Sequence, residues 1–377
     1  MAVSKKRTRS TEETDMPATK KQLVETKSTL DSLLSNAASI QKAEGDEDFR
    51  VITGTYERIL YGINAYWTSA SSEKEQDKKR RQLKMAPIFI VPAHTGLIRT
   101  VGIGGQFLAS GSTDEIIRLY DIKKRKEYGS LGGHHQGDIT DIKFYGKYML
   151  TASDDHSICL WRTKDWEYLK TLKGHKGRVN SMAIHDSGKI ALSVSADRTV
   201  VVWNLMTAKK ASANKLYGEG MKVLWNGKGD QYAIMFDRNI KVYNVSDAKM
   251  TQTMEHRSKF HDCCYYTLDD KEYLISGHED KTIRMWDVAS GECVVELTQA
   301  HDFRIKTVST VESEGTTVLV STSSDGWIKC WDTKEILDKK GKDVESLGQY
   351  NTRVELHVAL FIKVLGNWKV ISRIYLA

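Results

Sequence analysis

An aspartate recurs at intervals of 40 to 45 residues along most of this 377-residue chain. Each copy is followed three positions later by Ile or Val and six positions later by Trp or Tyr. The six copies are Asp114/Ile117/Tyr120, Asp155/Ile158/Trp161, Asp197/Val200/Trp203, Asp237/Ile240/Tyr243, Asp280/Ile283/Trp286 and Asp325/Ile328/Trp331. A repeat of this period is typical of architectures built from stacked or radially arranged units.

Each unit also carries the same order of apolar and polar residues. Short runs with period-2 alternation are separated by turns rich in Gly, Asp and Ser, which predicts about four antiparallel strands per unit. A histidine precedes five of the aspartates by 20 to 24 residues: His94, His135, His175, His256 and His301. The fourth unit has Leu216 at that position. Since a four-stranded sheet cannot bury both its faces alone, we expect the units to close into an all-β propeller.

The third predicted strand of two units ends in Trp-Asp, at Trp286-Asp287 and Trp331-Asp332, and Tyr120-Asp121 is a variant of this ending. With these endings and the six repeats, the chain from about residue 49 to 332 resembles the WD-repeat family. The resemblance implies a WD40 β-propeller.

The two ends of the repeat region predict how the ring closes. Phe49–Ile63 aligns with the second and third strands of a unit, but no first strand precedes it. Asn351–Leu360 alternates as a first strand should. We therefore expect a seven-bladed propeller over residues 49–360, closed by strands from both chain ends, with a disordered tail at 1–48, a basic insertion at 68–86 and an atypical segment at 361–377.

Composition excludes several classes of protein. The chain is 40% hydrophobic and 28% charged, and it has no apolar run of about 18 residues, so we expect no membrane association and no secretion. Its five cysteines form no CxxC pair and mostly occupy predicted strands, which favours buried free thiols in a reducing compartment over disulfides or zinc.

Recurrent Ser, His and Asp residues suggest a catalytic triad, for example Ser193, His175 and Asp197. The same set recurs around the ring, however, whereas an enzyme needs one site. The WD-repeat resemblance implies a structural network instead, in which Asp fixes the His ring, His bonds a Ser or Thr hydroxyl, and that hydroxyl accepts from the Trp indole. The residues assigned to this network are His94, Asp114, His135, Asp155, Trp161, His175, Ser193, Asp197, Trp203, Asp280, Trp286, His301, Asp325 and Trp331.

Motifs of the common enzyme classes are absent from the sequence. It contains no GxxxxGK[ST] loop, GxSxG elbow or HExxH helix. We therefore expect no catalytic residues, no cofactor, no metal and no small-molecule substrate, and a protein that binds other macromolecules.

Basic clusters lie outside the repeats. Lys5, Lys6 and Arg7, followed by Lys20 and Lys21, resemble a bipartite nuclear-import signal, and the alternative is a solvated disordered tail. The insertion adds a second cluster: Lys78, Lys79, Arg80 and Arg81. This cluster either contacts phosphate or an import receptor, or is an exposed loop.

A narrower resemblance rests on segments that differ from blade to blade. They are Gly54–Glu57, Leu60–Gly62, Thr113–Ile116, Tyr120–Lys124, Ile142–Gly146, Gly174–Gly177, His185–Ser193, Ser323–Lys329 with Trp331, and Asn351–Arg353. Together they resemble the p21-activated-kinase-interacting WD-repeat proteins. The resemblance implies a nucleolar scaffold in large (60S) ribosomal subunit assembly, with pre-60S proteins, and in one reading pre-rRNA, as partners. The alternative is a negative regulator that binds a p21-activated kinase.

Two further observations qualify this resemblance. Receptors for cullin ubiquitin ligases often carry Trp-Asp-x-Arg, but Trp286 and Trp331 are followed by Asp-Val-Ala and Asp-Thr-Lys, which disfavours that class. The family usually continues into a Lys-rich tail, whereas residues 361–377 are apolar. That segment is either the product of an altered gene model or a genuine extra strand or partner-binding end.

The partner-binding surface is the least determined feature. Four cations lie just before or at the start of predicted first strands and are expected near the narrow face of the ring: Arg99, Arg178, Lys222 and Arg304. They either meet an acidic partner or RNA, or are simply solvated.

Overall fold

The computed structural model describes residues 48–68, 81–124 and 126–363. In these residues, strands form seven antiparallel sheets of four strands each, and one short helix is present. The predicted all-β, seven-bladed propeller is thereby confirmed. No helix among the described residues has the length and hydropathy needed to cross a bilayer.

Six blades each take four consecutive strands, and the seventh combines strands from both chain ends. The first strands in the described residues are β1 (Phe49–Thr55), β2 (Ile59–Thr68) and β3 (Gln82–Pro92). Blade 1 then consists of β4 (Ile98–Gly104), β5 (Phe107–Ser112), β6 (Ile117–Asp121) and β7 (Lys126–Leu131). Blade 2 consists of β8 (Ile139–Tyr145), β9 (Tyr148–Ser153), β10 (Ser157–Arg162) and β11 (Glu167–Lys173). Blade 3 consists of β12 (Val179–Ile184), β13 (Ile190–Ser195), β14 (Thr199–Asn204) and β15 (Lys209–Lys215).

The remaining strands continue the same order. Blade 4 consists of β16 (Lys222–Trp225), β17 (Gln231–Met235), β18 (Asn239–Asn244) and β19 (Met250–Glu255). Blade 5 consists of β20 (Phe260–Leu268), β21 (Lys271–His278), β22 (Ile283–Asp287) and β23 (Cys293–Leu297). Blade 6 consists of β24 (Ile305–Ser313), β25 (Thr316–Ser323), β26 (Trp327–Asp332) and β27 (Gly348–Asn351), with helix α1 (Thr333–Asp338) before β27. The last strand within the described residues is β28 (Leu356–Lys363).

Burial decreases from the inner strands to the outer edge of a blade. In blade 3, β13 is almost wholly buried, whereas all seven residues of β15 are exposed. The apolar clusters lie between neighbouring blades, so each sheet face is covered by the next blade. Lysines on an unpaired outer edge such as β15 disfavour pairing with another chain.

Neighbouring blades approach closely where glycine replaces a side chain. A Cβ atom on Gly111 in blade 1 would lie 2.5 Å from Ile139 Cγ2 in blade 2. Polar links add to this packing, because the Asp141 carboxylate of blade 2 accepts from the backbone N–H of Met182 in blade 3 at 2.9 Å. The Asp262 carboxylate makes the same link to Val308 at 3.0 Å.

Blade 7 closes the ring in the order β28-β1-β2-β3. Strand β28 pairs antiparallel with β1, so that Phe49 lies opposite Lys363, and it contacts β24 on one side and β4 on the other. It is therefore the innermost strand of its blade, as expected for the C-terminal run.

Three predicted boundaries differ from the strand bounds of the structure. The propeller continues past residue 360, because residues 361–363 pair with β1. The closing strand begins at Leu356 rather than Asn351, because Asn351 still pairs with Trp327 in blade 6. The expected insertion is shorter than 68–86, because Gln82 already pairs with Thr68 in β3. The expected tail at 1–47 and the end of the atypical segment at 364–377 lie outside the described residues.

Substitution of Leu356 by Ala tests the ring closure. This side chain is fully buried with Phe49 and Leu83, so we expect Leu356→Ala to lower the free energy of unfolding by about 2–5 kcal/mol. Leu169→Ala is the control, because Leu169 is 37% exposed on the outer strand β11. Urea denaturation measures both, and equal stability of the two variants would contradict the closure.

Candidate functional site

The predicted polar network is complete in blades 2 and 3. In blade 3, the Trp203 indole donates to Ser193 Oγ at 2.7 Å, His175 Nε2 lies 2.7 Å from the same oxygen, and His175 Nδ1 lies 3.1 Å from the Asp197 carboxylate. An indole only donates, so the hydroxyl must accept from Trp and is free to donate to Nε2, which leaves Nδ1–H for Asp. Blade 2 repeats this chain with Trp161, Thr151, His135 and Asp155.

Blade 1 carries a variant of the network. His94 bonds Ser110 at 2.7 Å and Asp114 at 3.0 Å, while Tyr120 occupies the Trp position. The Asp114 carboxylate also accepts from the backbone N–H of Thr95. Thus the aspartate fixes both the imidazole and the loop that enters the blade.

Electrostatics keep these aspartates ionised. Burial alone would raise the pKa of Asp197, but the Thr199 hydroxyl, the Lys176 backbone N–H and His175 together lower it below its usual value. The pKa of Asp114 and that of Asp155 are lowered in the same way. The carboxylates are therefore structural acceptors.

Blade 5 uses a different histidine from the predicted one. His256 does not bond Asp280; its Nδ1 accepts from the Ser258 backbone N–H at 3.0 Å. His278 instead lies 2.8 Å from Ser276 Oγ, which also accepts from the Trp286 indole at 2.8 Å, and Arg284 binds Asp280 at 2.8 Å. Sequence reasoning missed this exchange.

The signal for the exchange was present in the Asp turn. Blade 3 reads Ser193-Val-Ser-Ala-Asp197, whereas blade 5 reads Ser276-Gly-His-Glu-Asp280. A histidine replaces the second serine, and it fills the space that the upstream histidine fills elsewhere.

Blade 6 breaks the predicted link between Asp and His. His301 Nε2 bonds Ser321 Oγ at 2.7 Å and the Trp331 indole donates to the same oxygen at 2.9 Å, but His301 Nδ1 has no partner among the described residues. The Asp325 carboxylate accepts instead from the Trp327 backbone N–H at 3.3 Å. The expectation that Asp325 fixes the ring is therefore wrong.

The network has no access for a substrate. Ser193 is fully buried and the His175 side chain is 0% exposed. The Ser193 hydroxyl is already hydrogen-bonded to Trp203 and His175. The same arrangement recurs in blade 2. The arrangement satisfies buried polar groups that would each cost about 1–3 kcal/mol if unpaired.

Metal-ligating residues do not cluster within the described part of the chain: no group of three or more His, Cys, Asp or Glu is placed to hold an ion. Cys159, Cys263, Cys264 and Cys330 are buried free thiols, and Cys293 is exposed. Burial raises the pKa of Cys263 to about 12, so this thiol is inert.

The blades share one face at which partner-binding residues were expected. Because the strands alternate in direction, the loops that enter the first strands and the turns that carry the repeated aspartates lie on the same side of the ring. We call this side the loop face; its entering loops are residues 93–97, 132–138, 174–178, 216–221, 256–259, 298–304 and 352–355.

The four cations predicted for this face are all paired with carboxylates. All of these pairs join consecutive blades. Arg99 pairs with Asp138 at 3.0 Å, Arg178 with Glu219 at 2.8 Å, and Lys222 with Asp262. Arg304 lies 3.4 Å from Glu355 and 3.8 Å from Glu279. Each of the four cations therefore has a carboxylate partner within the ring, and a role in binding an acidic partner or RNA stays a prediction.

Exposed apolar side chains on the loop face were missed by sequence reasoning. Tyr217 is 55%, Met221 42% and Phe303 57% exposed. Tyr217 and Met221 lie in the loop of blade 4, the blade that lacks the network histidine. Isolated apolar residues in a loop have no periodic pattern, so their exposure could not be predicted from the sequence.

Of the import-like residues, Arg81 lies in the described part of the chain. It is exposed and lies 3.4 Å from Glu314. Lys5, Lys6, Arg7, Lys20, Lys21, Lys78, Lys79 and Arg80 lie outside the described residues.

The fold and the repeated network define a WD-repeat β-propeller. The family model "WD domain, G-beta repeat" matches residues 85–121, 125–162, 166–204, 249–287 and 291–332. The chain is 35% identical to a p21-activated protein kinase-interacting protein 1-like protein of Xenopus laevis over 287 residues, covering 76% of this chain and 75% of the relative.

Two fungal proteins match over a similar share. Protein MAK11 of Saccharomyces cerevisiae is 35% identical over 338 residues, covering 78% of this chain and 80% of the relative. Shk1 kinase-binding protein 15 of Schizosaccharomyces pombe is 27% identical over 288 residues, covering 75% and 77%. The chain belongs to the WD-repeat family of p21-activated protein kinase-interacting protein 1-like proteins and MAK11.

Equivalent aspartates in blades 3 and 4 allow a matched test of the network. The Asp197 side chain is 11% exposed and bonds His175, whereas Asp237 is 59% exposed. We expect Asp197→Ala to lower the free energy of unfolding by about 1–3 kcal/mol because buried donors lose their acceptor. Asp237→Ala should change it by less than about 0.5 kcal/mol. Urea denaturation distinguishes them, and equal losses would argue against the network.

His301 of blade 6, whose Nδ1 has no partner among the described residues, predicts a pH dependence of stability. Burial, and then the nearby Lys329, lower the pKa of His301 from 6.5 to about 3. Between these values the unfolded chain binds a proton that the folded chain does not, so stability is lost as pH falls from 6.5 towards 3 by about 1.4 kcal/mol per pH unit.

The variant His301→Gln removes this titration. We expect the plot of unfolding free energy against pH to be shallower by about 1.4 kcal/mol per pH unit in this range. Urea denaturation at several pH values measures the slope. A slope equal to that of the wild type would show that His301 is not buried as a neutral imidazole.

Proposed function

We propose that this chain is a non-catalytic WD-repeat scaffold in the assembly of the large (60S) ribosomal subunit and the maturation of its pre-rRNA. The observation that carries the proposal is the family membership, which extends over about three quarters of the chain. The blade-specific segments that resemble this family imply the same role. The partners proposed are pre-60S particle proteins.

The geometry suits a scaffold. Seven blades with polar and apolar links between neighbours make a rigid ring, and its variable loops present side chains on one broad face. The network residues that resemble a hydrolase triad are buried, so the proposal includes no reaction step.

A p21-activated kinase is the second candidate partner. Two relatives support it, since their names describe a protein that interacts with p21-activated kinase and a protein that binds Shk1 kinase. The two candidates differ in cell compartment, since the assembly role requires the nucleus and nucleolus. The basic clusters at Lys5–Arg7, Lys20–Lys21 and Lys78–Arg81 support nuclear import under this proposal.

Affinity purification of the tagged full-length chain at near-physiological salt tests the proposal. We expect recovery of large-subunit precursor rRNA together with assembly factors, because a scaffold remains bound to the particle. Recovery of a p21-activated kinase without precursor rRNA would reject the assembly role and favour kinase regulation.

A pair of methionine variants locates the docking surface in the same experiment. Met221 is 42% exposed on the loop face, and Met206 is 74% exposed in a turn on the opposite face. A charge at a docking contact must be desolvated, so we expect Met221→Glu to reduce particle recovery severalfold and Met206→Glu to leave it unchanged. The reverse result would place docking on the opposite face.

A further inference from the structure

An open cavity of 770 Å³ lies on the loop face above blades 4, 5 and 6. Four cations line it: Arg238, Arg257, Lys259 and Arg304. They come from three successive blades, so only the closed ring brings them together. The sequence positions have no common spacing within the repeat.

The carboxylates that line the cavity already have partners. Asp280 accepts from Arg284 at 2.8 Å and from the Thr282 hydroxyl at 2.6 Å. Glu279 is paired with His261 and lies 3.8 Å from Arg304. These ion pairs compensate most of the negative charge in the cavity.

Three of the cations remain available to a ligand. Lys259 and Arg238 share Asp237, at 3.2 and 3.7 Å, but their side chains are 52% and 64% exposed, and such surface pairs contribute little and exchange partners readily. The exposed Arg257 has no carboxylate within salt-bridge distance among the residues that the structure describes. Arg238, Arg257 and Lys259 therefore form an anion-binding cluster.

An aromatic ring lies beside this cluster. A second cavity, of 520 Å³, shares Glu279 and Arg304 with the first and contains Phe303. The Phe303 side chain is 57% exposed, and Lys281 Nζ lies 5.9 Å from its ring centroid. Cations that follow a backbone next to an exposed aromatic ring form the usual platform for single-stranded nucleic acid.

We propose that these joined cavities bind a single-stranded RNA segment, with phosphates at Arg238, Arg257 and Lys259 and a base stacked on Phe303. The carboxylates that line the second cavity, Glu279, Asp325 and Glu355, can accept from base amino groups and ribose hydroxyls. The ionised Asp and Glu side chains of an acidic peptide carry neither a ring to stack nor a hydrogen-bond donor, so RNA fits the surface better. The inference rests on the proposed function, which supplies pre-rRNA as the source of the RNA.

Fluorescence anisotropy with a labelled single-stranded RNA of about 12 nucleotides tests the site on the full-length protein. The triple variant Arg238→Ala/Arg257→Ala/Lys259→Ala should weaken binding at least about tenfold. The slope of the logarithm of the binding constant against the logarithm of the salt concentration should become shallower by about two. Phe303→Ala should weaken binding by about tenfold through lost stacking.

A charge-matched control separates the site from general basicity. Lys209, Lys210 and Lys215 are exposed on the outer strand β15, and their triple replacement by Ala removes the same charge. We expect this control to bind RNA within about twofold of the wild type. Equal losses in the two triple variants would overturn the proposal, provided that both unfold at the wild-type urea concentration.

Competition with a deca-glutamate peptide addresses the alternative ligand. If the peptide displaces the RNA at lower concentration than unlabelled RNA does, the cavity binds acidic peptides and the RNA assignment is wrong. Purification of the tagged triple variant separates this inference from the scaffold role. A variant that loses RNA binding in vitro but still recovers precursor particles would leave the scaffold role standing, whereas wild-type protein that binds RNA but recovers no particle would reject only that role.

Discussion

Mutual coverage of blade faces is the constraint on which the rest of this structure depends. A four-stranded sheet with two apolar faces is unstable in water unless neighbours cover both faces, and only a closed ring covers every sheet. The pairing of β28 with β1 provides the closure, since it supplies the inner strand that blade 7 otherwise lacks. The loops that make up the loop face are held in place by this closure.

The polar network differs from blade to blade although the strands are arranged in the same way. In blades 2 and 3 the chain from Trp to Ser or Thr, His and Asp is complete, so the entering loop is tied to the Asp turn. Blade 5 replaces the histidine and neutralises Asp280 with Arg284, and blade 4 has no histidine. The loops that lack the regular tie carry exposed side chains, among them Tyr217, Met221 and Arg257.

Much of the fold was predictable because its signals are local and repeated. The spacing of the aspartates identified the blades, and the alternation in Asn351–Leu360 identified the closing strand. Errors arose where a residue changed role without changing the pattern. His256 keeps the expected position in the sequence, yet it is His278 whose Nε2 bonds Ser276 Oγ in the structure. The start of the closing strand was placed too early because Asn351 continues the alternation of that run, although it pairs with Trp327 in blade 6.

The sequence by itself determined the class of fold, the number of blades and the residues of the network in blades 1 to 3, because each depends on contacts within one repeat or between adjacent repeats. Only the tertiary structure decided which cations of the loop face have a carboxylate partner. Arg99, Arg178 and Lys222 are compensated by carboxylates about 40 residues away, whereas Arg257 is not. Electrostatic energy depends on distance in space, and distances between blades are set by ring closure rather than by position in the chain.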